Sequence, residues 1–135
     1  MNIKFALLGC GRIAKRHSEL LGLNQIANAE LTAVCDVDSE RASRIGLEMK
    51  VPYFTDMHEM MRKKSIDVVV VLTESGFHAE HVIELAKYGK HVVVEKPMAL
   101  SLTDADRMIL ACDRAGVKLF VVKQNRFNVP VMKLR

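Results

Sequence analysis

The spacing of apolar positions along the chain switches back and forth between two periods. IKFALL (Ile3–Leu8) is a short β-prone apolar run. Arg12–Leu23 instead carries Ile13, Leu20, Leu21 and Leu23 with charges between them. The first predicts a strand and the second a helix ending near Gly22. ELTAVC (Glu30–Cys35) predicts a second strand, and Asp38 caps an expected helix running to about Met49. A short third strand is expected at Val51–Phe54, and Asp56-x-x-Glu59 is a capping-box pattern ahead of another helix. Ile66–Leu72 is nearly continuous in apolar residues, as a strand covered on both faces would be. Phe77–Tyr88 then reads as a helix stopped by Gly89, and His91–Val94 as a fifth strand. Ser101-x-x-Asp104 opens a helix to about Ala115 with Gly116 as its stop, and Val117–Val122 is the sixth strand.

Strands alternating with helices predict the α/β class, with a parallel sheet, right-handed crossovers and helices on both faces. Six strands fit a doubly wound Rossmann sheet of order 3-2-1-4-5-6. A flavodoxin-like sheet is the rival and needs only five. Residues 1–122 are expected to form one such domain. VPVMKLR, at the end, begins to look helical just where the sequence stops, so residues 123–135 read as the start of a linker. The expectation is a piece of a longer protein.

Composition narrows the classes. Of 135 residues 50% are hydrophobic and 27% charged, and no apolar run comes near the length a bilayer requires. Leu8-Gly9-Cys10 behind Lys4 looks like the start of a secreted lipoprotein. Only Phe5–Leu8 is continuously apolar there, however, whereas a secretory signal needs an apolar region of ~7–15 residues. Neither secretion nor a membrane partner is read. Cys10, Cys35 and Cys112 form no CxxC and no metal spacing, which argues for reduced thiols and a cytoplasmic setting. His78 and His81 have no third ligand nearby, so no metal site is assigned. The net charge of +4 is interleaved with acids, a poor match for nucleic acid and a fair one for a small anionic ligand.

The chemistry concentrates at Gly9-Cys10-Gly11-Arg12-Ile13-Ala14, a G-x-G-x-x-A turn leaving a predicted strand and entering a predicted helix. Gly9 permits the tight turn, Gly11 lacks the Cβ that would block a pyrophosphate, and Ala14 allows close helix–strand packing. The helix N-terminus adds free N–H groups and partial positive charge. A turn serving packing alone is the other reading. Asp36 follows the second strand, 25 residues after Gly11, where a carboxylate accepts both adenosine ribose hydroxyls and repels a 2′-phosphate. That favours NAD over NADP, unless Asp36 is simply a loop acid. Asp38 reads as a helix cap.

Three longer stretches go further: GCGRIAKRH (Gly9–His17), TESGFHAEH (Thr73–His81) and Glu95-Lys96-Pro97 directly after the fifth strand. Together, across essentially the whole chain, they resemble the oxidoreductase family of glucose–fructose oxidoreductase, inositol dehydrogenase and rhizopine catabolism, called Gfo/Idh/MocA. The resemblance implies an N-terminal NAD-binding domain followed by an open-sheet domain that supplies most of the substrate pocket and the oligomer contacts. The whole protein is accordingly expected to be a homo-oligomer. The activity implied is hydride transfer to NAD from a secondary hydroxyl of a sugar, nucleotide sugar or cyclitol, closest in motif to the nucleotide-sugar branch.

Lys96 would be the catalytic group, hydrogen-bonding the hydroxyl and relaying its proton. Cofactor contacts are implied for Gly9, Gly11, Arg12, Ile13, Asp36, Thr73, His78, Glu95 and Lys96, and substrate contacts for Lys96, Asn125 and Arg126. Glu74 and Ser75 depart from the Thr-Pro-Asn-like stretch of many members. His17 matches the motif's final histidine and reads as structural. The bond before Pro97 is a candidate for the cis form. Two alternatives remain open: an NAD-dependent glycoside hydrolase of the same family, and a non-catalytic NAD- or sugar-sensing module.

Overall fold

A computed structural model describes residues 2–122. Its strands β1 (Ile3–Leu8), β2 (Ala29–Cys35), β3 (Tyr53–Phe54), β4 (Val68–Val71), β5 (His91–Val94) and β6 (Leu119–Val121) form one sheet of order β3-β2-β1-β4-β5-β6. Every pairing is parallel. This is the expected doubly wound arrangement, and it excludes the five-stranded rival. The helices are α1 (Ala14–Gly22), α2 (Ser39–Met49), α3 (Met57–Lys63), α4 (His78–Lys87) and α5 (Leu102–Ala115).

Alternation along the strands divides the core in two. Leu7, Val34 and Val70 pack with Ala14, Leu21, Ile45 and Met49 beneath α1 and α2. Val69, Val71, Val92 and Val94 pack with Met60, Val82, Leu85 and Met108 beneath α3, α4 and α5. All four residues of β4 are buried, as its unbroken apolar run requires. Each such valine stabilises the fold by about 1.5–3 kcal/mol relative to exposure.

Local chemistry sets the helix starts. Asp38 accepts from the Glu40 and Arg41 amides, Asp56 from the His58 amide and Ser101 from the Asp104 amide. The capping box at Asp56 is realised by half, because the Glu59 carboxylate accepts from Lys63 at 2.8 Å. Several boundaries also differ from expectation, among them β4 and β6, each shorter than its apolar run. α1 begins at Ala14 because Arg12 and Ile13 belong to the turn, with the Ala14 amide donating to Gly11 O and the Lys15 amide to Arg12 O. β3 keeps only two residues, since Val51 and Pro52 approach it as an irregular segment. A 3-10 turn, Ser75–Phe77, precedes α4. Among the described residues no helix is long and apolar enough to cross a membrane. Asn125 and Arg126, expected at the substrate, and the expected linker at 123–135 lie outside the described residues.

Candidate functional site

Because all strands run the same way, the tails of β1, β2, β4 and β5 meet at one edge of the sheet. They bring Gly9, Asp36, Thr73 and Glu95-Lys96-Pro97 to that edge. Open α/β sheets take their ligands there.

The glycine turn is built against two neighbouring strand ends. The Gly9 amide donates to Cys35 O at 2.8 Å, and the Cys10 amide donates to Asp36 Oδ2 at 2.8 Å. Gly9 has φ +105°, and a Cβ there would lie 2.7 Å from the Leu72 carbonyl carbon. Gly11 is the opposite case: a Cβ would find only an Arg41 guanidinium nitrogen, 3.9 Å away. The backbone above Gly11 is therefore bare. Ala14 is fully buried, the close helix–strand contact that a small third residue permits. α1 has no side-chain cap, unlike α2, α3 and α5, so its N-terminal dipole is left to the cleft.

That cleft has a volume of about 670 Å³ and runs from the glycine turn past Asp36 to Thr73 and Phe77. Gly9, Gly11, Arg12, Ile13, Asp36 and Thr73 all line it. Asp36 is fixed from both sides, Oδ2 by the Cys10 amide and Oδ1 by the Asp38 amide at 2.9 Å. Each carboxylate oxygen retains a lone pair for a ribose hydroxyl. Arg12, Arg16 and Arg41 give the walls positive charge beside the turn, and Asp36 and Glu74 supply the acids.

Arg16, Arg41, Phe77 and His81 are wall residues that motif reading missed, because they reach the cleft from separate elements. His81 carried the one available signal, lying i+3 from His78 in the TESGFHAEH stretch. Its Nδ1 shares a 2.8 Å hydrogen bond with the Thr73 hydroxyl, and its ring stacks on Phe77 at 5.9 Å. Burial holds its pKa below the usual imidazole value.

The remaining expected residues do not line this cleft. His78 is 1% exposed, with Nδ1 2.9 Å from Pro97 O and Nε2 2.8 Å from Thr73 O. His78 thus acts as a brace beside the cleft: its two ring nitrogens lie within hydrogen-bonding distance of main-chain carbonyls, and the ring ties the tail of β4 to the turn carrying Lys96. The Lys96–Pro97 bond is cis. Lys96 is exposed, whereas Glu95 is 7% exposed and meets His17 Nε2 at 3.1 Å. Among the described residues no cluster of three or more histidine, cysteine or acidic side chains could hold a metal ion.

Burial disfavours the thiolate at all three cysteines. Cys10 and Cys35 are buried free thiols, each pushed up to about 12 by burial and then by the Asp36 carboxylate. The native state holds protons that the unfolded chain releases above pH 9, the ordinary thiol value here. Stability from this source is full below pH 9 and falls as the pH climbs towards 12. Native protein at pH 8 should resist a thiol reagent that labels unfolded protein at once, and urea midpoints should drop steeply above pH 9. A Cys10→Ala/Cys35→Ala variant should show a shallower drop.

A parallel doubly wound sheet with a bare glycine turn, an uncapped helix N-terminus and an oriented acid at the tail of β2 defines a dinucleotide-binding domain. Residues 3–123 match the family model described as "Oxidoreductase family, NAD-binding Rossmann fold", and the chain belongs to this Gfo/Idh/MocA family. It is 36% identical to a myo-inositol 2-dehydrogenase of Thermotoga maritima, over 98% of this chain and 40% of that protein. It is 36% identical to a D-apiose dehydrogenase of Paraburkholderia graminis, over 93% of this chain and 33% of that protein. Among solved structures, the WlbA dehydrogenase of Bordetella pertussis in complex with NADH and UDP-GlcNAcA matches with a TM-score of 0.94 and 40% identity. That match covers 99% of this chain and 41% of WlbA. The chain thus spans about 40% of the length of such relatives.

Proposed function

We propose that this chain is the cofactor-binding half of an NAD-dependent dehydrogenase that oxidises a secondary hydroxyl of a sugar, nucleotide sugar or cyclitol. The observation carrying the proposal is the bare backbone above Gly11, faced by a fixed Asp36 on one side and open towards the tail of β4 on the other. A dinucleotide fits these residues. The Gly9–Ile13 turn and Arg12 would hold the diphosphate, Asp36 would hold the adenosine ribose, and Thr73 would flank the passage towards Glu95 and Lys96.

When bound, NAD supplies the hydride acceptor. The chain's own residues do the rest. The turn binds through backbone N–H groups, Asp36 selects a ribose that bears no 2′-phosphate, and the Lys96 side chain meets the substrate hydroxyl. There, as a neutral amine, it would take the hydroxyl proton as the hydride leaves carbon, and as the resulting ammonium release that proton to water. His78 and Pro97 aim the lysine and do not touch substrate. Asn125 and Arg126 are assigned to the substrate side, with 123–135 as the linker to a substrate domain. The relatives' names support sugars and cyclitols as the class, and the WlbA complex supports the nucleotide-sugar branch. We place the whole protein in the cytoplasm as a homo-oligomer, with the buried reduced thiols supporting that compartment.

The test is a pair of titrations of the chain with NADH and NADPH. NADH should bind more tightly, and Asp36→Ala should weaken NADH about tenfold while leaving NADPH nearly unchanged, so that the preference collapses. An unchanged preference would remove Asp36 from the ribose site. In the whole protein, a dehydrogenase accumulates NADH with substrate, whereas a hydrolase releases sugar without a net change in NADH. A sensing module has no use for a lysine at the tip of β5, which favours the enzyme.

A further inference from the structure

Glu95 is the one buried acidic side chain among the described residues, and the cleft does not use it. Its backbone extends the sheet, the amide donating to Val71 O at 3.1 Å. The side chain turns to the α1 side, where Oε2 meets His17 Nε2 at 3.1 Å across 78 residues of sequence. Oε1 is buried without a hydrogen-bond partner among the described residues. As a stability device this is a poor one. A carboxylate withdrawn from water with one oxygen unsatisfied carries a desolvation cost that apolar side chains of similar size would not.

What the pair joins is more telling. His17 stands one turn into α1, the helix whose N-terminus faces the diphosphate cradle. α1 otherwise packs on β1, β2 and α2. Glu95 immediately precedes Lys96. The contact therefore fixes the position of the lysine-bearing turn relative to the diphosphate helix, two parts that must grip opposite ends of one ligand. A buried, costly polar contact between two such parts is expected where function sets the geometry.

Resting on the dinucleotide reading above, we propose that His17 is a positioning residue. Acting through Glu95, it sets the Glu95-Lys96-Pro97 turn at the distance from α1 that receives the nicotinamide half of the cofactor. His17 itself touches neither cofactor nor substrate.

The experiment compares NADH with ADP-ribose, which has the adenosine, diphosphate and second ribose but no nicotinamide ring. In the 135-residue chain, His17→Ala should weaken NADH about tenfold or more while ADP-ribose stays within about twofold. His17→Gln, which keeps an N–H donor for Oε2, should restore most of the NADH affinity. A double variant, His17→Phe with Glu95→Leu, removes both polar partners. It should unfold at or above the parent temperature and still lose the preference for NADH over ADP-ribose. Equal loss of both ligands in His17→Ala, or a double variant that keeps the parent preference, overturns the proposal. A parent chain that binds neither ligand overturns the dinucleotide reading and this proposal with it, and the parent titration alone identifies that case.

Discussion

Lys96→Ala, introduced into the dehydrogenase proposed above, should lower turnover at least about 100-fold and leave NADH affinity within a few-fold of the parent. Oxidising a secondary alcohol removes a hydride from carbon and a proton from oxygen, and the second needs a group that can take that proton and then, as a cation, face the oxygen. Lys96 stands at the tip of β5, exposed, on a turn fixed from two sides: His78 holds Pro97 O, and His17 holds the neighbouring Glu95. A lysine kept only for solubility would have no reason to sit on so constrained a turn. Lys96→Arg separates the two duties, because a guanidinium keeps the charge but is never deprotonated and so cannot take the hydroxyl proton. If charge alone mattered, arginine would restore turnover. We expect it to remain low with myo-inositol or a UDP-linked sugar acid as test substrate. Near-normal turnover of Lys96→Ala would remove the lysine from the chemistry.

Elements whose information is local were legible in the sequence. β4 announces itself as an apolar run, and the capping residues Asp38, Asp56 and Ser101 each act within three residues of their own position. Sheet order followed from strand–helix alternation and crossover handedness, which leave few arrangements for six strands. The glycine turn and Asp36 were legible because their chemistry depends on fixed spacing.

Properties that depend on distant pairs were not legible. His17 and Glu95 lie 78 residues apart, and nothing in either segment announces the other. Arg41 reaches the cleft from α2 because α2 begins only three residues after Asp36, the acid that follows β2, and as a sequence position it is one charge among many. His78 shows the converse limit. Its motif gave its neighbourhood correctly, yet its ring nitrogens face two carbonyls, a distinction that depends on which way a buried side chain points.

The two glycines of the turn lead to opposite expectations when each gains a side chain. Gly9→Ala meets the Leu72 carbonyl carbon at 2.7 Å in a left-handed conformation, and what it meets is the Leu72–Thr73 backbone, which cannot turn aside as a side chain could. It should destabilise the chain by about 2–3 kcal/mol in urea unfolding. Gly11→Val meets open space, apart from a flexible guanidinium 3.9 Å from its Cβ, so its unfolding midpoint should stay close to that of the parent. The methyl groups of the introduced valine would nevertheless stand where the diphosphate must lie against bare N–H groups. NADH affinity should fall at least about 100-fold, a loss of about 2.7 kcal/mol. Folded protein that no longer binds is the outcome peculiar to a phosphate cradle. If Gly11 were present for packing, valine would unfold the chain. If the turn were an ordinary loop, valine would change neither property. Calorimetric titration with NADH beside a thermal melt of the same sample separates the three outcomes.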